Sequence, residues 1–512
     1  MSAPAKVDRD EVFLEYTKSI CPVCKVVIDA EVNARGGRVV MRKRCPDHGP
    51  FEALVYSDAE LYMSQLRFNK PGTIPLEFQT EVKDGCPLDC GLCPEHKQHA
   101  CLGIIETNTA CNLDCPVCFA DSGHQPDGYS LTREQVALML DTFVRSEGEP
   151  EVVMLSGGEP TIHPEILTFI AMAQDRGIRS VMLNTNGIRL ARDARFVDEL
   201  ARLGPHIYLQ FDGFELETHL AMRGRDLRAD KERALEACER AGLHVTLVAA
   251  VEKGVNEHEA GAIVRFGVSH PAVMSVAFQP VTHSGRHAVF DPLERLTNAD
   301  VIMLLAEQVP EWYRVSDFIP VPCCFPTCRS MSYAIADEDG IVPFTRLLDV
   351  ERYLDYVSNR FFADVSVRGA FERMFSSSAA PGAESLLQAC RSCGLDPSVF
   401  AEMLDDPWRK LFVVVIQDFQ DPYTLNVRQL MKCCVEEITP DGRLIPFCAY
   451  NSVGYREQVR EQLSGVRVAP VVPNARPLLP LLRTTPYGSK TAGNGSAARV
   501  DTRNVGRRLD VK

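Results

Sequence analysis

The sequence lacks a long apolar run, a basic-then-apolar leader and an excess of positive charge. No stretch approaches the ~18 consecutive apolar residues of a membrane-spanning helix, and the first residues, MSAPAKVDRDEVF, do not resemble a secretory signal peptide. The formal net charge of -14 argues against nucleic acid as a partner, because phosphate binding needs clustered Lys and Arg. We therefore expect a cytoplasmic globular protein.

The positive charge that exists is concentrated at the C-terminal end. Residues 466–512 contain nine Lys and Arg against two Asp and are rich in Pro, Gly, Ser and Asn. This composition predicts a flexible basic tail, which is usually a solvated extension. Beside the apolar PLLPLL, its charge also suits peripheral contact with an anionic membrane surface.

Nineteen cysteines in a reducing compartment indicate metal ligands rather than disulfides. The first group has Cys-x2-Cys, twenty further residues and then Cys-x2-His, and its members are Cys21, Cys24, Cys45 and His48. Between the two halves, KVVIDAEV and GRVVMRK alternate as the strands of a hairpin. Four ligands fill a tetrahedral site, so we predict a structural zinc or rubredoxin-like iron in an N-terminal module of residues 1–82.

Two similar stretches follow, CPLDCGLC and CNLDCPVC, each with the spacing Cys-x3-Cys-x2-Cys. In the first stretch a fourth cysteine stands eight residues after the third. Four thiolates close a [4Fe–4S] cluster completely. We therefore predict an auxiliary cluster, and its ligands are Cys86, Cys90, Cys93 and Cys101.

The second stretch has three cysteines and no fourth before Cys238, so one iron of a cluster bound there stays open. Those three are Cys111, Cys115 and Cys118. They follow LGIIETNTA, a predicted buried strand, and the cysteine loop therefore emerges from the carboxyl end of a strand, where barrel folds place their chemistry. This position favours the second stretch as the catalytic one.

After Cys118 the pattern alternates between helices and strands. The helices begin with LTREQVALMLDTFVRS, for which Thr132 is the expected N-cap, and the strands include EVVMLSGGEP, RSVMLNTNG and HIYLQFDG. Six strands alternating with helices predict an α/β fold, a partial (βα)6 barrel. We place this core, with the preceding auxiliary cluster, in residues 83–310.

CNLDCPVC followed at the expected separation by SGGEP resembles the radical S-adenosylmethionine (SAM) superfamily. The resemblance implies that SAM chelates the open iron through its amino and carboxylate groups and is split to a 5′-deoxyadenosyl radical. Many members have an aromatic residue just before the third cysteine, whereas this chain has Val117 there and Phe119 one position after that cysteine.

The resemblance also implies residues that bind SAM. They lie in the SGGEP turn and at the ends of later strands, and they are Gly157, Gly158, Glu159, Asn184, Asn186, Gln210, Asp212 and Gln279. The glycines let the backbone approach the methionine moiety, and the glutamate is suited to accept from its ammonium. Two simpler interpretations remain open, since NTNG is also a good turn and Asp212 a suitable helix cap.

The last cysteines lie in PVPCCFPTC and KCCVEEITPDGRLIPFCAY. Distant cysteine pairs can converge on one metal centre, so we predict a C-terminal auxiliary-cluster domain in residues 311–465. Its predicted ligands are Cys323, Cys328, Cys433 and Cys448. The neighbouring Cys324 and Cys434 stay as alternatives, and Cys390 and Cys393 are left as a separate small site or free thiols.

The whole arrangement over residues 15–460 resembles the tetraether lipid synthase-like branch of the superfamily. That likeness implies formation of a C–C bond between lipid alkyl chains, several iron–sulfur clusters, one mononuclear zinc or iron, and an electron donor such as ferredoxin or flavodoxin. The first alternative is a radical SAM methyltransferase acting on a pterin-like cofactor. The second is a multi-cluster electron-transfer protein, which leaves SGGEP without a purpose.

Metal content tests this assignment of the cysteines. Anaerobically purified protein should contain about twelve irons in three [4Fe–4S] clusters and one mononuclear zinc or iron. Iron, acid-labile sulfide and zinc are to be quantified per chain. A total near four irons would remove both auxiliary clusters from the account.

Overall fold

The computed structural model describes residues 10–123, 128–287, 291–321, 324–337, 340–346 and 411–464. The predictions that concern Cys323, Cys390, Cys393 and residues 466–512 lie outside the described residues.

The N-terminal part is a four-stranded antiparallel sheet in which each strand pairs with the next. Its strands are β1 (Glu11–Ile20), β2 (Val27–Arg35), β3 (Arg38–Cys45) and β4 (Gly49–Tyr56). The hairpin predicted from alternation is confirmed as β2 and β3, and both residues of its turn, Gly36 and Gly37, have positive φ. Helix α1 (Ala59–Leu66) follows and packs on β3.

The six predicted strands are confirmed as consecutive parallel neighbours of one sheet. They are β5 (Leu102–Glu106), β6 (Val152–Ser156), β7 (Ser180–Thr185), β8 (His206–Gln210), β9 (Val245–Val251) and β10 (Val273–Pro280). The helices are α2 (Arg133–Glu147), α3 (Ile166–Gln174), α4 (Ile188–Arg192), α5 (Ala194–Leu203), α6 (Leu216–Arg223), α7 (Arg228–Ala241), α8 (Ala260–Ser269) and α9 (Asn298–Gln308).

Later segments extend this sheet at both edges. Next to β10 lie β11 (Ile319–Pro320), β12 (Arg329–Asp337), β13 (Gly340–Pro343) and β14 (Leu411–Gln417), of which β14 is parallel to β10. Next to β5 lie β15 (Val435–Ile438), parallel to it, and β16 (Leu444–Pro446). The region predicted as a C-terminal domain therefore contributes its described strands to the barrel sheet. Its short helices are α10 (Val427–Leu430), α11 (Phe447–Ser452) and α12 (Tyr455–Ser464).

Apolar burial on the strands explains the sheet. Leu155, Leu183, Leu209 and Leu247 are fully buried in one core that also contains the inner faces of the helices, as expected for parallel strands covered by helices. Thr132 caps α2 in a reciprocal capping box, as predicted. The consequence for function is that the carboxyl ends of β5 to β10 open at the same edge of the sheet.

Among the described residues, every helix is too short or too polar to span a bilayer.

Candidate active site and metal centres

The loop after β5 gathers the three cysteines of CNLDCPVC. Cys111, Cys115 and Cys118 pack in one small cluster with Leu113 and other apolar residues. The Leu113 amide donates to Cys111 Sγ at 3.4 Å. Burial raises the pKa of Cys111 to about 12, so its thiolate needs a compensating positive charge. A bound metal supplies that charge, and the donor set therefore fits an iron–sulfur cluster.

The SGGEP turn lies directly against the backbone that leads into this loop. The Gly158 amide donates to the Asn108 carbonyl at 2.7 Å, and the Glu159 amide donates to the Ala110 carbonyl at 2.9 Å. A Cβ on Gly157 would stand 2.4 Å from the Asn108 carbonyl oxygen, and one on Gly158 would stand 2.2 Å from the Ala110 oxygen. Glycine is therefore required at both positions for the turn to contact the cysteine segment.

The Glu159 side chain is buried and already bound within the protein. Its Oε1 accepts from the Thr161 amide at 3.0 Å and from Thr185 Oγ1 at 2.7 Å. Its Oε2 accepts from the Asn186 amide at 2.8 Å. The carboxylate thus joins the turns that follow β6 and β7, and these contacts make it a positioning group for the mouth of the barrel.

The predicted asparagines point toward the same loop ends. Asn186 Nδ2 donates to Asn112 Oδ1 at 2.7 Å, next to the first cysteine of the loop. Asn184 Nδ2 donates to Ser156 Oγ at 3.0 Å, at the end of β6. Farther along the sheet, Gln279 donates to Tyr208 Oη at 3.1 Å. The structure brings Asn186 to the cysteine loop, Asn184 to the end of β6 and Gln279 to Tyr208 of β8.

Asp212 forms an ion pair that the sequence did not predict. Arg223 binds its carboxylate with two hydrogen bonds, of 2.6 and 2.7 Å, and donates to the Val117 carbonyl at 3.3 Å. The N-cap of α6 is Glu215, so the interpretation of Asp212 as a helix cap is wrong. Arg223 therefore connects the end of β8 to the cysteine loop.

A buried lysine also lies under this mouth without having been predicted. Lys231 Nζ donates to Gln210 Oε1 and to the Asn186 carbonyl, both at 2.6 Å. Burial lowers the pKa of Lys231 to about 7. Lys231 lies in α7, a helix of ordinary amphipathic pattern, which gave no local indication that its side chain connects the ends of β7 and β8. Both strand ends are distant from Lys231 in the sequence.

The N-terminal cysteines and histidine bring their four ligand atoms close together. Cys21 Sγ lies 3.7 Å from His48 Nδ1, Cys24 Sγ lies 3.8 Å from Cys45 Sγ, and Cys45 Sγ lies 3.5 Å from His48 Nδ1. Zn–S bonds of about 2.3 Å at tetrahedral angles place sulfur atoms about 3.8 Å apart. The four ligand atoms therefore fit one zinc or iron ion, as predicted.

The predicted ligands of the first auxiliary cluster fall in two places. Cys86 and Cys90 pack together. Burial and the nearby charge of Cys90 raise the pKa of Cys93, so Cys93 lies close to this pair. Cys101 packs instead with Cys434, whose carbonyl accepts from the Cys101 amide at 2.9 Å. Three of the four residues are thus associated, and the role of Cys101 as their fourth ligand stays a prediction.

A cavity in the C-terminal region is lined by five cysteines, which are Cys324, Cys328, Cys433, Cys434 and Cys448. It contains three of the four predicted ligands and both cysteines that the sequence left as alternatives. Burial raises the pKa of Cys448 to about 12 and those of Cys328 and Cys433 well above the usual value. A metal cluster provides the charge that such buried thiolates need.

Comparison with known proteins identifies two regions and one long relative. The radical SAM superfamily model matches residues 105–267, and the HMPTM N-terminal zinc ribbon domain matches residues 13–57. The 7,8-dihydro-6-hydroxymethylpterin dimethyltransferase of Methanocaldococcus jannaschii is 33% identical over 491 residues, which cover 88% of this chain and 95% of that protein. Human molybdenum cofactor biosynthesis protein 1 is 37% identical over 99 residues, 19% of this chain and 15% of that protein.

Among solved structures, Streptococcus suis SuiB bound to its precursor peptide SuiA is similar with a TM-score of 0.36 and 16% identity, over 42% of this chain and 46% of that chain.

The contact between SGGEP and the cysteine segment predicts the effect of one methyl group. Gly158→Ala should lower iron content at the catalytic loop, because its Cβ collides with the Ala110 carbonyl. Gly177→Ala is the control, since its Cβ meets nothing within 4 Å and costs only about 1–2 kcal/mol of backbone strain. Iron per chain and thermal unfolding are to be compared. Equal iron in the two variants would contradict the close-contact account.

Proposed function

The chain belongs to the radical SAM superfamily, in the family of the M. jannaschii 7,8-dihydro-6-hydroxymethylpterin dimethyltransferase, and we propose that it methylates a dihydropterin. It is an iron–sulfur enzyme that uses a [4Fe–4S] cluster and SAM and needs an electron donor. The observation that carries this proposal is a match covering 88% of this chain and 95% of the methyltransferase, together with the match of residues 13–57 to the HMPTM N-terminal zinc ribbon domain.

These comparisons favour what the sequence offered as its first alternative. The lipid-joining interpretation, the main prediction from the sequence, is not supported by the long relative, whose name describes a pterin methyltransferase. The alternative of an electron-transfer protein is set aside, because the chain is an enzyme. Joining of lipid chains is kept as the competing outcome of the substrate experiment below.

The residues at the mouth of the barrel have separate roles in this proposal. A [4Fe–4S] cluster with SAM supplies a 5′-deoxyadenosyl radical when both are bound. Cys111, Cys115 and Cys118 are the proposed ligands of three irons, and Gly157 and Gly158 allow the SGGEP backbone to lie against their segment. Support comes from the packing of the three cysteines in one cluster and from the close backbone contact.

Polar groups around the loop hold it in place and orient the SAM-binding ends of the strands. We assign Glu159 as a positioning residue, since its carboxylate is bound by Thr185 and the Asn186 amide. Asn186 lies nearest the cysteines through Asn112 and is the stronger candidate for contact with SAM. Lys231 fixes Gln210 from beneath, so an amide group at the mouth has a defined orientation.

The cysteines of the CPLDCGLC stretch and of the C-terminal cavity are proposed to bind auxiliary iron–sulfur clusters. Cys86, Cys90 and Cys93 form one candidate site, with Cys101 as its predicted fourth ligand. The cavity lined by Cys328, Cys433 and Cys448 is the other, and Cys324 and Cys434 in its wall make alternative ligand sets available. The zinc ribbon is proposed to be structural, because its four ligands leave no open position.

Two cysteine variants distinguish the roles of the CPLDCGLC and CNLDCPVC motifs. Cys115→Ala should abolish reductive cleavage of SAM, because the open-iron site loses a ligand. Cys90→Ala should retain cleavage without substrate while product formation is lost. The measurement is 5′-deoxyadenosine formed by the reduced protein with and without substrate. An exchange of these two phenotypes would show that the motifs had been assigned in reverse.

Substrate class is tested by stimulation of SAM cleavage. The reduced enzyme is incubated with SAM and either 7,8-dihydro-6-hydroxymethylpterin or phospholipids of graded tail length, and Cys115→Ala serves as the inactive control. We expect more 5′-deoxyadenosine with the pterin than without substrate, and a pterin product heavier by whole methyl groups. Stimulation that rises only with lipid tail length would replace this proposal, since each buried methylene contributes about 0.8 kcal/mol to lipid binding.

A further inference from the structure

Phe119, which follows Cys118, stacks on Phe447, which precedes Cys448 of the C-terminal cavity. The rings of Phe119 and Phe447 have centroids 5.1 Å apart and an interplanar angle of 10°. Phe419 contacts both, with centroid distances of 5.6 Å and 4.9 Å. Because Phe119 follows Cys118 and Phe447 precedes Cys448, the three rings join two cysteine sites that are about 330 residues apart in the chain.

The backbone that follows Cys118 is bound by side chains of α12. Arg456 of α12 donates to the Phe119 carbonyl at 2.9 Å, and Arg460, one turn later, donates to the carbonyls of Ala120 and Asp121. Three consecutive carbonyls after a catalytic cysteine are thus bound by two side chains of one helix. Charged donors form the stronger class of hydrogen bond.

Arg456 is itself fixed by the barrel. Its guanidinium pairs with the buried carboxylate of Glu106, the last residue of β5, at 2.5 Å. The other oxygen of Glu106 accepts from Tyr450 Oη at 3.1 Å, and the Arg456 guanidinium carbon lies 5.1 Å from the Tyr450 ring centroid. Strand β5, the cysteine loop and helices α11 and α12 therefore share one buried network.

We propose that Phe447, Phe419, Arg456 and Arg460 form a C-terminal clasp that positions the catalytic cysteine loop for SAM. The clasp residues do not touch the reacting atoms; they fix the path of residues 119–121 and thereby the position of the Cys118 thiol. The inference rests on the proposed role of Cys118 as a cluster ligand. It adds a function for the C-terminal region: the walls of the cysteine cavity also determine the geometry of the radical SAM site.

The aromatic residue of this loop stands at a different position from that in many superfamily members. The aromatic residue that many superfamily members have before the third cysteine is replaced here by Val117, and the aromatic ring stands after it, at Phe119. That ring stacks toward the C-terminal region. Residues 119–121 thus take part of their support from outside the six-stranded core.

The test compares stacked phenylalanines inside and outside the clasp. Phe447→Leu removes the stacked ring, whereas Phe447→Tyr keeps it. Phe266→Leu is the matched control, because the Phe266 and Phe211 rings are also stacked, with centroids 5.6 Å apart and an interplanar angle of 8°, elsewhere in the barrel. Arg460→Gln is a second, milder variant that removes the charged donor to Ala120. Each anaerobic, reduced holoenzyme is titrated with SAM while the electron paramagnetic resonance signal of its clusters is recorded, and thermal unfolding is measured in parallel.

We expect Phe447→Leu and Arg460→Gln to weaken the apparent affinity of the SAM-dependent signal change about tenfold, because a displaced Cys118 misplaces the cluster that SAM binds; a misplacement of about 1 Å lowers reaction rates by about 100-fold. Phe447→Tyr and Phe266→Leu should behave as the unaltered enzyme. If Phe447→Leu and Phe266→Leu lose thermal stability equally and both keep normal SAM affinity, the clasp is wrong. A normal SAM response in Cys118→Ala would instead overturn the ligand assignment on which it rests.

Discussion

Close contact between two backbones at the mouth of the barrel is the constraint on which the site depends. The SGGEP turn can approach residues 108–110 only because Gly157 and Gly158 have no Cβ. Two backbone hydrogen bonds then tie the end of β6 to the segment entering Cys111. The buried Glu159 carboxylate extends the same tie to β7. The position of the first cysteine is thereby coupled to the ends of neighbouring strands.

The C-terminal region completes this arrangement from the other side. Strand β15 lies parallel to β5 and brings Cys433 and Cys434 next to the strand that precedes the loop of Cys111, Cys115 and Cys118. The zinc ribbon contacts the same region, because Lys43 donates to the Pro422 carbonyl at 2.7 Å and Thr17 donates to Asn426 Oδ1 at 2.7 Å. Ribbon, barrel and cysteine cavity thus form a continuous set of contacts around the loop.

Local patterns in the sequence predicted the parts of the molecule that local physics determines. The alternation of β5 to β10 with helices and the Thr132 cap depend on residues close together in the chain, and the structure confirms them. The ligand spacing around Cys45 predicted one metal site, and the structure brings those ligand atoms together.

Those local patterns did not predict contacts between residues that are distant in the sequence. Arg223 and Lys231 lie on helices whose periodicity records only which face is buried, so their partners at the ends of β7 and β8 and in the cysteine loop were missed. The pairing of β15 with β5, which packs Cys101 against Cys434, was also missed, because a register between strands some 330 residues apart leaves no local trace in the sequence. The stacking of Phe447 on Phe119 was missed for the same reason.

An anaerobic crystal structure of the protein with its clusters and SAM bound tests the central claim most directly. The account predicts a cluster held by Cys111, Cys115 and Cys118, with the amino and carboxylate groups of SAM on its fourth iron and the methionine moiety beside Gly157 and Gly158. SAM bound to a cluster held by Cys86, Cys90 and Cys93, or a fourth protein ligand closing the Cys111 cluster, would contradict it.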